Sequence, residues 1–124
     1  MNIWIVEDDA GYRRNLRISL ELEDGIAVGH VFPSCVEFFE TLENSAPPDV
    51  VLMDLGLPGM SGIEAIRKLS REIPGLAVMV LTVFKEKSRV QEAMDAGASG
   101  YLLKESDGPE IIAALQEIFA GIPS

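Results

Sequence analysis

The 124-residue chain carries a formal net charge of −10, 48% hydrophobic residues and a mean hydropathy of +0.21, which excludes a disordered tail and predicts one domain with its own core. Its charge would repel a phosphate backbone, so we expect this domain alone to bind no nucleic acid. The single cysteine, Cys35, and apolar runs too short to cross a bilayer indicate a cytoplasmic protein that does not enter a membrane.

Five short apolar segments alternate with amphipathic segments along the chain. The predicted strands are Asn2–Val6, Ala27–Phe32, Val50–Met53, Leu76–Thr82 and Gly100–Leu103. Several are nearly continuous runs of Val, Ile, Leu and Met, which is typical of strands buried on both faces of a parallel sheet. The intervening segments place apolar residues on one helical face, as Ile63, Ile66 and Leu69 illustrate. Five such repeats predict a doubly wound α/β sheet.

Three helix starts carry the capping-box signature, in which side chains satisfy free backbone N–H groups of the first turn. The pairs are Ser34 with Glu37, Ser61 with Glu64, and Ser88 with Gln91. Pro109 indicates the first turn of the last helix, and the glycine after "MDA" indicates the end of the helix before it. The last helix runs out into Gly and Pro, so we expect a domain over residues 1–120 and the start of a linker over 121–124.

Polar residues stand where four of the five predicted strands end. They are Glu7, Asp8 and Asp9 after the first, Asp54 after the third, Thr82 on the fourth and Lys104 after the fifth. Ligands of open α/β sheets bind at the carboxyl ends of the strands, where the strand order reverses. If the first and third strands are neighbours, three or four carboxylates converge and need a cation. An all-oxygen site suits Mg²⁺, and with lysine and threonine it supplies the groups for phosphoryl transfer onto Asp54 as an aspartyl phosphate.

Each of these residues has an alternative interpretation. Asp54 could be a turn residue at a strand end, although the next helix has its own serine cap. Asp9 directly precedes a helix, and a role as N-cap is as well supported as metal ligation. Thr82 alone is a residue that favours strands, and Lys104 alone is a solvated charge. The combination at four strand ends is what favours phosphoryl transfer.

Four segments in order resemble the receiver domain of bacterial two-component response regulators, over essentially the full chain. They are "IWIVEDD", "VVLMDLGLPGMSG", "VMVLT" and "GASGYLLK". The resemblance implies a flavodoxin-like (βα)5 fold with a five-stranded parallel sheet in the order 2-1-3-4-5. The carboxyl-terminal segment is most similar to the subgroup whose receiver precedes a LuxR-type helix-turn-helix. That similarity implies that DNA is bound through a further, C-terminal domain.

The resemblance also implies a phosphoacceptor and a metal site. It implies that Asp54 accepts a phosphoryl group from a sensor histidine kinase. Glu7 and Asp8 match the acidic pair that positions Mg²⁺, directly or through water, together with Asp54 and the backbone carbonyl of Gly56.

A switch is implied in the same way. Thr82 and Lys104 match the pair that grips the phosphoryl oxygens, and Tyr101 matches the aromatic residue that turns inward with Thr82. The face made by the fourth helix, fifth strand and fifth helix is then expected to change on phosphorylation and to form a homodimer. Such a domain is a signalling phosphoacceptor that catalyses its own phosphotransfer and dephosphorylation.

The chain departs from the family pattern at three positions. Glu105 stands where many receivers have proline, Val83 where the residue is small, and Phe84 where many relatives are polar. Val83 and Phe84 predict slow phosphorylation and a long-lived phosphorylated state. One alternative is a receiver-like interaction module that is never phosphorylated. A metal-dependent phosphatase would need a second acid where Gly56 stands, and a flavin phosphate would be repelled by "EDDAG".

Overall fold

The computed structural model, which describes residues 1–121, contains one five-stranded parallel sheet with helices on both faces. The strands are β1 (Asn2–Val6), β2 (Ala27–Phe32), β3 (Val50–Met53), β4 (Ala77–Thr82) and β5 (Gly100–Leu103). The helices are α1 (Ala10–Glu21), α2 (Cys35–Glu43), α3 (Gly62–Glu72), α4 (Lys87–Ala96) and α5 (Gly108–Phe119). The sheet order β2-β1-β3-β4-β5 confirms the predicted flavodoxin-like fold. Residues 122–124 of the predicted linker lie outside the described residues.

The sheet separates two apolar layers, which explains the continuous hydrophobic runs of its strands. One layer contains Trp4, Phe38 and Ile66 and lies under α2, α3 and α4. The other contains Leu20 and Leu115 and lies under α1 and α5. Every residue of β3 is buried, because this strand lies in the middle of the sheet and is covered on both faces.

The helix caps confirm most of the sequence prediction and correct one part of it. Ser34 and Ser61 are N-caps whose hydroxyls accept from the backbone N–H three residues on. Ser88 is not a cap, because α4 begins at Lys87 and the serine lies within its first turn. Asp107, which the sequence analysis overlooked, caps α5 by accepting from the N–H of Glu110 at 2.9 Å.

Two further boundaries follow the chain-bending residues. Pro109 lies in the first turn of α5, and Gly97 ends α4 with a φ of 120°, both as predicted. β4 begins at Ala77, one residue later than predicted. All peptide bonds in the described part of the chain are trans, including the one that precedes Glu105. None of the helices described in residues 1–121 has the length and apolar character needed to cross a membrane.

The loop after β3 depends on two glycines for different reasons. Gly59 has a φ of 74°, in the left-handed region that favours glycine. Gly62 begins α3 directly against the backbone of Asp54, and its N–H donates to the carbonyl of Leu55 at 3.3 Å. A Cβ at Gly62 would lie 2.2 Å from the Asp54 carbonyl oxygen, a distance that no side chain tolerates. The helix therefore packs against the residue that ends the strand only because position 62 has no side chain.

We expect Gly62→Ala to lower the free energy of unfolding by about 1–3 kcal/mol, since backbone must move to admit the methyl group. Gly75→Ala is the matched control, because a Cβ there meets nothing within 4 Å. Urea denaturation of both variants measures the difference. Equal midpoints for the two variants would contradict the close approach at position 62.

Candidate functional site

Three side chains of the site are fixed by the backbone bonds that continue the sheet beyond its strands. Glu7, Asp54 and Lys104 are each the first residue after a strand. The N–H of Glu7 donates to the last carbonyl of β2 at 2.9 Å, and that of Asp54 to the last carbonyl of β1 at 3.1 Å. The N–H of Lys104 donates to the last carbonyl of β4 at 2.8 Å. The sheet thus holds all three residues at one edge, and their backbones cannot move apart without breaking these bonds.

The Lys104 ammonium bridges the two buried carboxylates. Its Nζ lies 2.5 Å from Oε1 of Glu7 and 3.1 Å from Oδ2 of Asp54. The side chains of Glu7 and Asp54 are only 3% and 7% exposed, and that of Lys104 is 16% exposed. The other carboxylate oxygen of Asp54 accepts from the backbone N–H of Gly56 at 3.3 Å. Water screens this cluster little, so its charges interact strongly.

Burial and the neighbouring charges shift the pKa values of Glu7 and Lys104. Burial raises the pKa of the Glu7 carboxyl above its ordinary value, and the negative charge of Asp54 adds to that effect, while Lys104 opposes it. For Lys104, burial opposes the charged form, but its hydrogen bonds and ion pairs with Glu7 and Asp54 outweigh burial and raise its pKa. Lys104 is therefore held as a cation between the two carboxylates, but its charge does not outweigh the effect of burial on the pKa of Glu7.

Three carboxylates at this edge are close enough to share a metal ion. One oxygen from each of Glu7, Asp8 and Asp54 lies within 4.8 Å of the others, and Asp8 is exposed while the other two are buried. This all-oxygen donor set, open to solvent on the side of Asp8, fits Mg²⁺, which keeps several waters when it binds to proteins. Asp9 does not belong to this group of three. It is the N-cap of α1, where its Oδ1 accepts from the N–H of Tyr12 at 3.0 Å.

The predicted switch residues meet at the loop that follows β4. Thr82 is fully buried, and its hydroxyl accepts a long bond of 3.5 Å from the N–H of Phe84. The Tyr101 hydroxyl donates to the carbonyl of Phe84 at 2.7 Å, so this half-buried ring contacts the same loop. The structure therefore links Thr82 and Tyr101 through one residue between them, Phe84.

Phe84 covers the loop beside the phosphoacceptor candidate. A Cβ at Gly56 would lie 3.3 Å from Cε2 of the Phe84 ring, so the ring takes up the space that a side chain at position 56 would use. The Arg89 guanidinium lies 4.5 Å from the centroid of the same ring. Val83, in contrast, is 63% exposed. Of these two residues, Phe84 is therefore the one packed against Gly56, two residues after Asp54.

The sequence analysis missed two residues of α1 that contact the site. The Tyr12 ring centroid lies 4.8 Å from Nζ of Lys104. The Arg13 guanidinium donates to the backbone carbonyl of Glu7 at 2.6 Å. Their position in the first turn after Asp9 was the available signal, since the start of α1 lies at the same sheet edge as the acids.

Comparison with known proteins agrees with this architecture. A model of the response regulator receiver domain matches residues 3–116. The chain is 36% identical over 122 residues to the response regulator GacA of Pseudomonas aeruginosa, an alignment that covers 98% of this chain and 56% of GacA. The chain spans about half the length of the curated relatives it matches.

Two solved structures extend the comparison. The crystal structure of a two-component response regulator of the LuxR family from Aurantimonas sp. SI85-9A1 matches with a TM-score of 0.92 and 33% identity, over 98% of this chain and 86% of that one. RcsB from Salmonella enterica serovar Typhimurium, bound to promoter rprA in the presence of the phosphomimetic BeF3⁻, matches with a TM-score of 0.87 and 26% identity. That match covers 95% of this chain and 67% of RcsB.

The fold, the acids at its carboxyl edge and the family model define one class. The chain belongs to the response regulator receiver domains, the signalling domains of two-component systems. Its relatives include transcriptional regulators, and its structural neighbours include regulators of the LuxR type.

Proposed function

We propose that this domain accepts a phosphoryl group on Asp54 from a sensor histidine kinase and controls transcription through the resulting change of conformation. The observation that carries the proposal is the contact between the buried Asp54 carboxylate and the Lys104 ammonium at 3.1 Å, beside two further acids. A cation, a fixed nucleophile and an oxygen-only metal site are the groups that phosphoryl transfer requires.

In the proposed reaction, a carboxylate oxygen of Asp54 attacks the phosphorus of a phosphohistidine on the kinase. The new O–P bond forms as the N–P bond breaks, and the histidine imidazole leaves with the electron pair. Glu7, Asp8, Asp54 and the backbone carbonyl of Gly56 would hold Mg²⁺, which supplies positive charge for the transferred oxygens. Lys104 already faces Asp54 and needs only to turn from its carboxylate oxygen to a phosphoryl oxygen.

The free energy that new bonds to a phosphoryl group could supply is comparable to the free energy that a two-state switch requires. A phosphoryl group can make one to three charge-assisted hydrogen bonds, and bonds from Thr82 and Lys104 at about 1.5–3 kcal/mol each would together give about 3–6 kcal/mol, provided that they are made only in the active state. Moving a population from 1:99 to 99:1 needs about 5.5 kcal/mol. A response of Thr82 would reach Tyr101 through Phe84, which contacts both residues. The intact acidic set argues against an interaction module that is never phosphorylated.

The relatives support a transcriptional output. RcsB was solved on promoter DNA with a phosphomimetic, which supports an output in which phosphorylation of the receiver controls DNA binding by a C-terminal domain. We place the receiver at residues 1–120 in the cytoplasm, with the linker beginning at 121. The α4–β5–α5 face is the proposed homodimer surface, and two of its elements carry exposed apolar side chains, Met94 on α4 and Phe119 on α5.

Incubation with a small phosphodonor and Mg²⁺ should add one phosphoryl group, because Asp54 contacts Lys104 and follows β3, the strand between the acids at the end of β1 and Thr82 at the end of β4. Intact-mass measurement after acid quenching detects the adduct. Asp54→Asn should give none, and EDTA should prevent the reaction of the unchanged protein. A persisting adduct in Asp54→Asn, or full reaction in EDTA, would overturn the proposal.

We expect Val83 to slow the uptake of the phosphoryl group and Phe84 to slow its loss. We expect Phe84→Glu to accelerate loss of the phosphoryl group, since it removes a ring and adds an oxygen that can orient the attacking water. Val83→Ala should accelerate uptake from the small donor, because the stiff, branched side chain of Val83 is exposed beside Lys104, with which it lines a groove, and narrows the approach to the site. Rates come from time courses of intact mass. If neither variant accelerates its step by more than about twofold, which is roughly 0.4 kcal/mol of the activation barrier, the prediction that these two side chains slow the reactions is wrong.

A further inference from the structure

The Lys104 ammonium has a third neighbour besides its two carboxylates. Its Nζ lies 4.8 Å from the centroid of the Tyr12 ring. A lysine within about 6 Å of an aromatic centroid is attracted by the negative face of the ring, and the attraction grows when water is excluded. The Lys104 side chain is 16% exposed, so this contact lies in a largely dry environment.

The position of the Tyr12 ring is determined by the start of α1. The Tyr12 N–H donates to the capping carboxylate of Asp9 at 3.0 Å, which fixes its backbone in the first turn. The ring is half-buried and packs against the apolar layer under α1 and α5. Burial raises the pKa of Tyr12 above its ordinary value, so the phenol is neutral near neutral pH. The lysine thus meets an uncharged aromatic face that the helix holds in place.

The Lys104 side chain lies beside an open groove into which its ammonium could move. Tyr12 and Lys104 both line a groove of about 140 Å³ between α1 and α5, together with Leu16 and Ile111. Lysine carries its charge on a flexible four-carbon stem and can adopt many conformations. Without the ring, several of these would move the ammonium along the groove and away from Asp54.

We propose that Tyr12 is a positioning residue that confines the Lys104 ammonium to the side of the site where Glu7 and Asp54 lie. The ring leaves the lysine free to turn between a carboxylate oxygen and a phosphoryl oxygen, and it closes the route into the α1–α5 groove. The link to phosphorylation rests on the function proposed above. The position of the lysine itself does not, and it can be measured separately.

The first experiment measures how available Lys104 is in the unphosphorylated protein, in EDTA. An N-hydroxysuccinimide ester of acetate acylates lysines, and peptide mass spectrometry gives the labelling rate of Lys104 relative to that of the exposed Lys87. We expect Tyr12→Leu and Tyr12→Met to raise the relative rate about three- to tenfold, the range expected for a lost cation–π contact. Tyr12→Phe keeps the ring and should leave the rate unchanged, as should Ser19→Ala further along the same groove.

The second experiment separates positioning from a general structural role. Tyr12→Leu should slow phosphorylation by a small donor about three- to tenfold, and Tyr12→Phe should stay within about twofold of the unchanged protein. In a Lys104→Met background, Tyr12→Leu should cause no further loss, because there is no ammonium left to position. A structural defect would slow both backgrounds equally.

Several outcomes would overturn the proposal. These are unchanged Lys104 labelling in both apolar variants, a defect in Tyr12→Phe as large as in Tyr12→Leu, or an undiminished effect of Tyr12→Leu without Lys104. If the unchanged protein takes up no phosphoryl group while the labelling behaves as expected, the proposed function fails and the positioning of Lys104 stands.

Discussion

Two buried carboxylates, Glu7 and Asp54, lie at one edge of the sheet. Their negative charge must be balanced by positive charge, and the rest of the site is arranged around this requirement. Like charges at this separation in a dry environment raise the free energy of the folded state unless a cation is present. The two residues cannot move apart to reduce this repulsion, because backbone hydrogen bonds fix each of them to the neighbouring strand. Lys104 provides one cation from the end of β5, and it contacts both acids. One lysine cannot neutralise two carboxylates and the nearby Asp8, so the remaining negative charge favours a divalent metal ion.

The same constraint shapes the loop after β3. The proposed phosphoryl group on Asp54 would need room, and the chain must turn sharply to reach the start of α3. Gly59 makes the turn with a positive φ, and Gly62 lets the helix approach the backbone of Asp54. The space above Gly56 is taken by Phe84, from a loop that also contacts Tyr101. The dense glycines of this loop thus reflect packing around a single fixed carboxylate.

The resemblance to receiver domains implied the sheet order, which the residues alone left open, whereas the convergence of the site at one sheet edge could be predicted from the strand ends. In a parallel sheet all carboxyl ends lie at one edge, so a residue directly after a strand, such as Asp54, can be placed without knowing how helices pack. The contacts of a residue on a helix are harder to predict than those of a residue at a strand end. The contacts of Tyr12 and Arg13 depend on how α1 lies on the sheet, and the apolar face that Tyr12 shares with Leu16 and Leu20 indicates only the buried side of the helix, not which groups at the sheet edge it meets. The cap of α4 was assigned wrongly from the spacing of Ser88 and Gln91, because the same spacing occurs here between two residues that already lie inside the helix.

The central claim is that the two buried carboxylates require positive charge, part of it from Lys104 and the rest from a metal ion, and equilibrium unfolding tests it most directly. The measurement is the free energy of unfolding of the unchanged protein and of Lys104→Met, each in EDTA and in Mg²⁺. In EDTA the variant should be less stable by about 2 kcal/mol, because two buried carboxylates lose their cation. Mg²⁺ should stabilise both proteins, and the variant more strongly, because the ammonium no longer competes for Glu7 and Asp54. Equal stability of the two proteins in EDTA, or no stabilisation of either by Mg²⁺, would contradict the account.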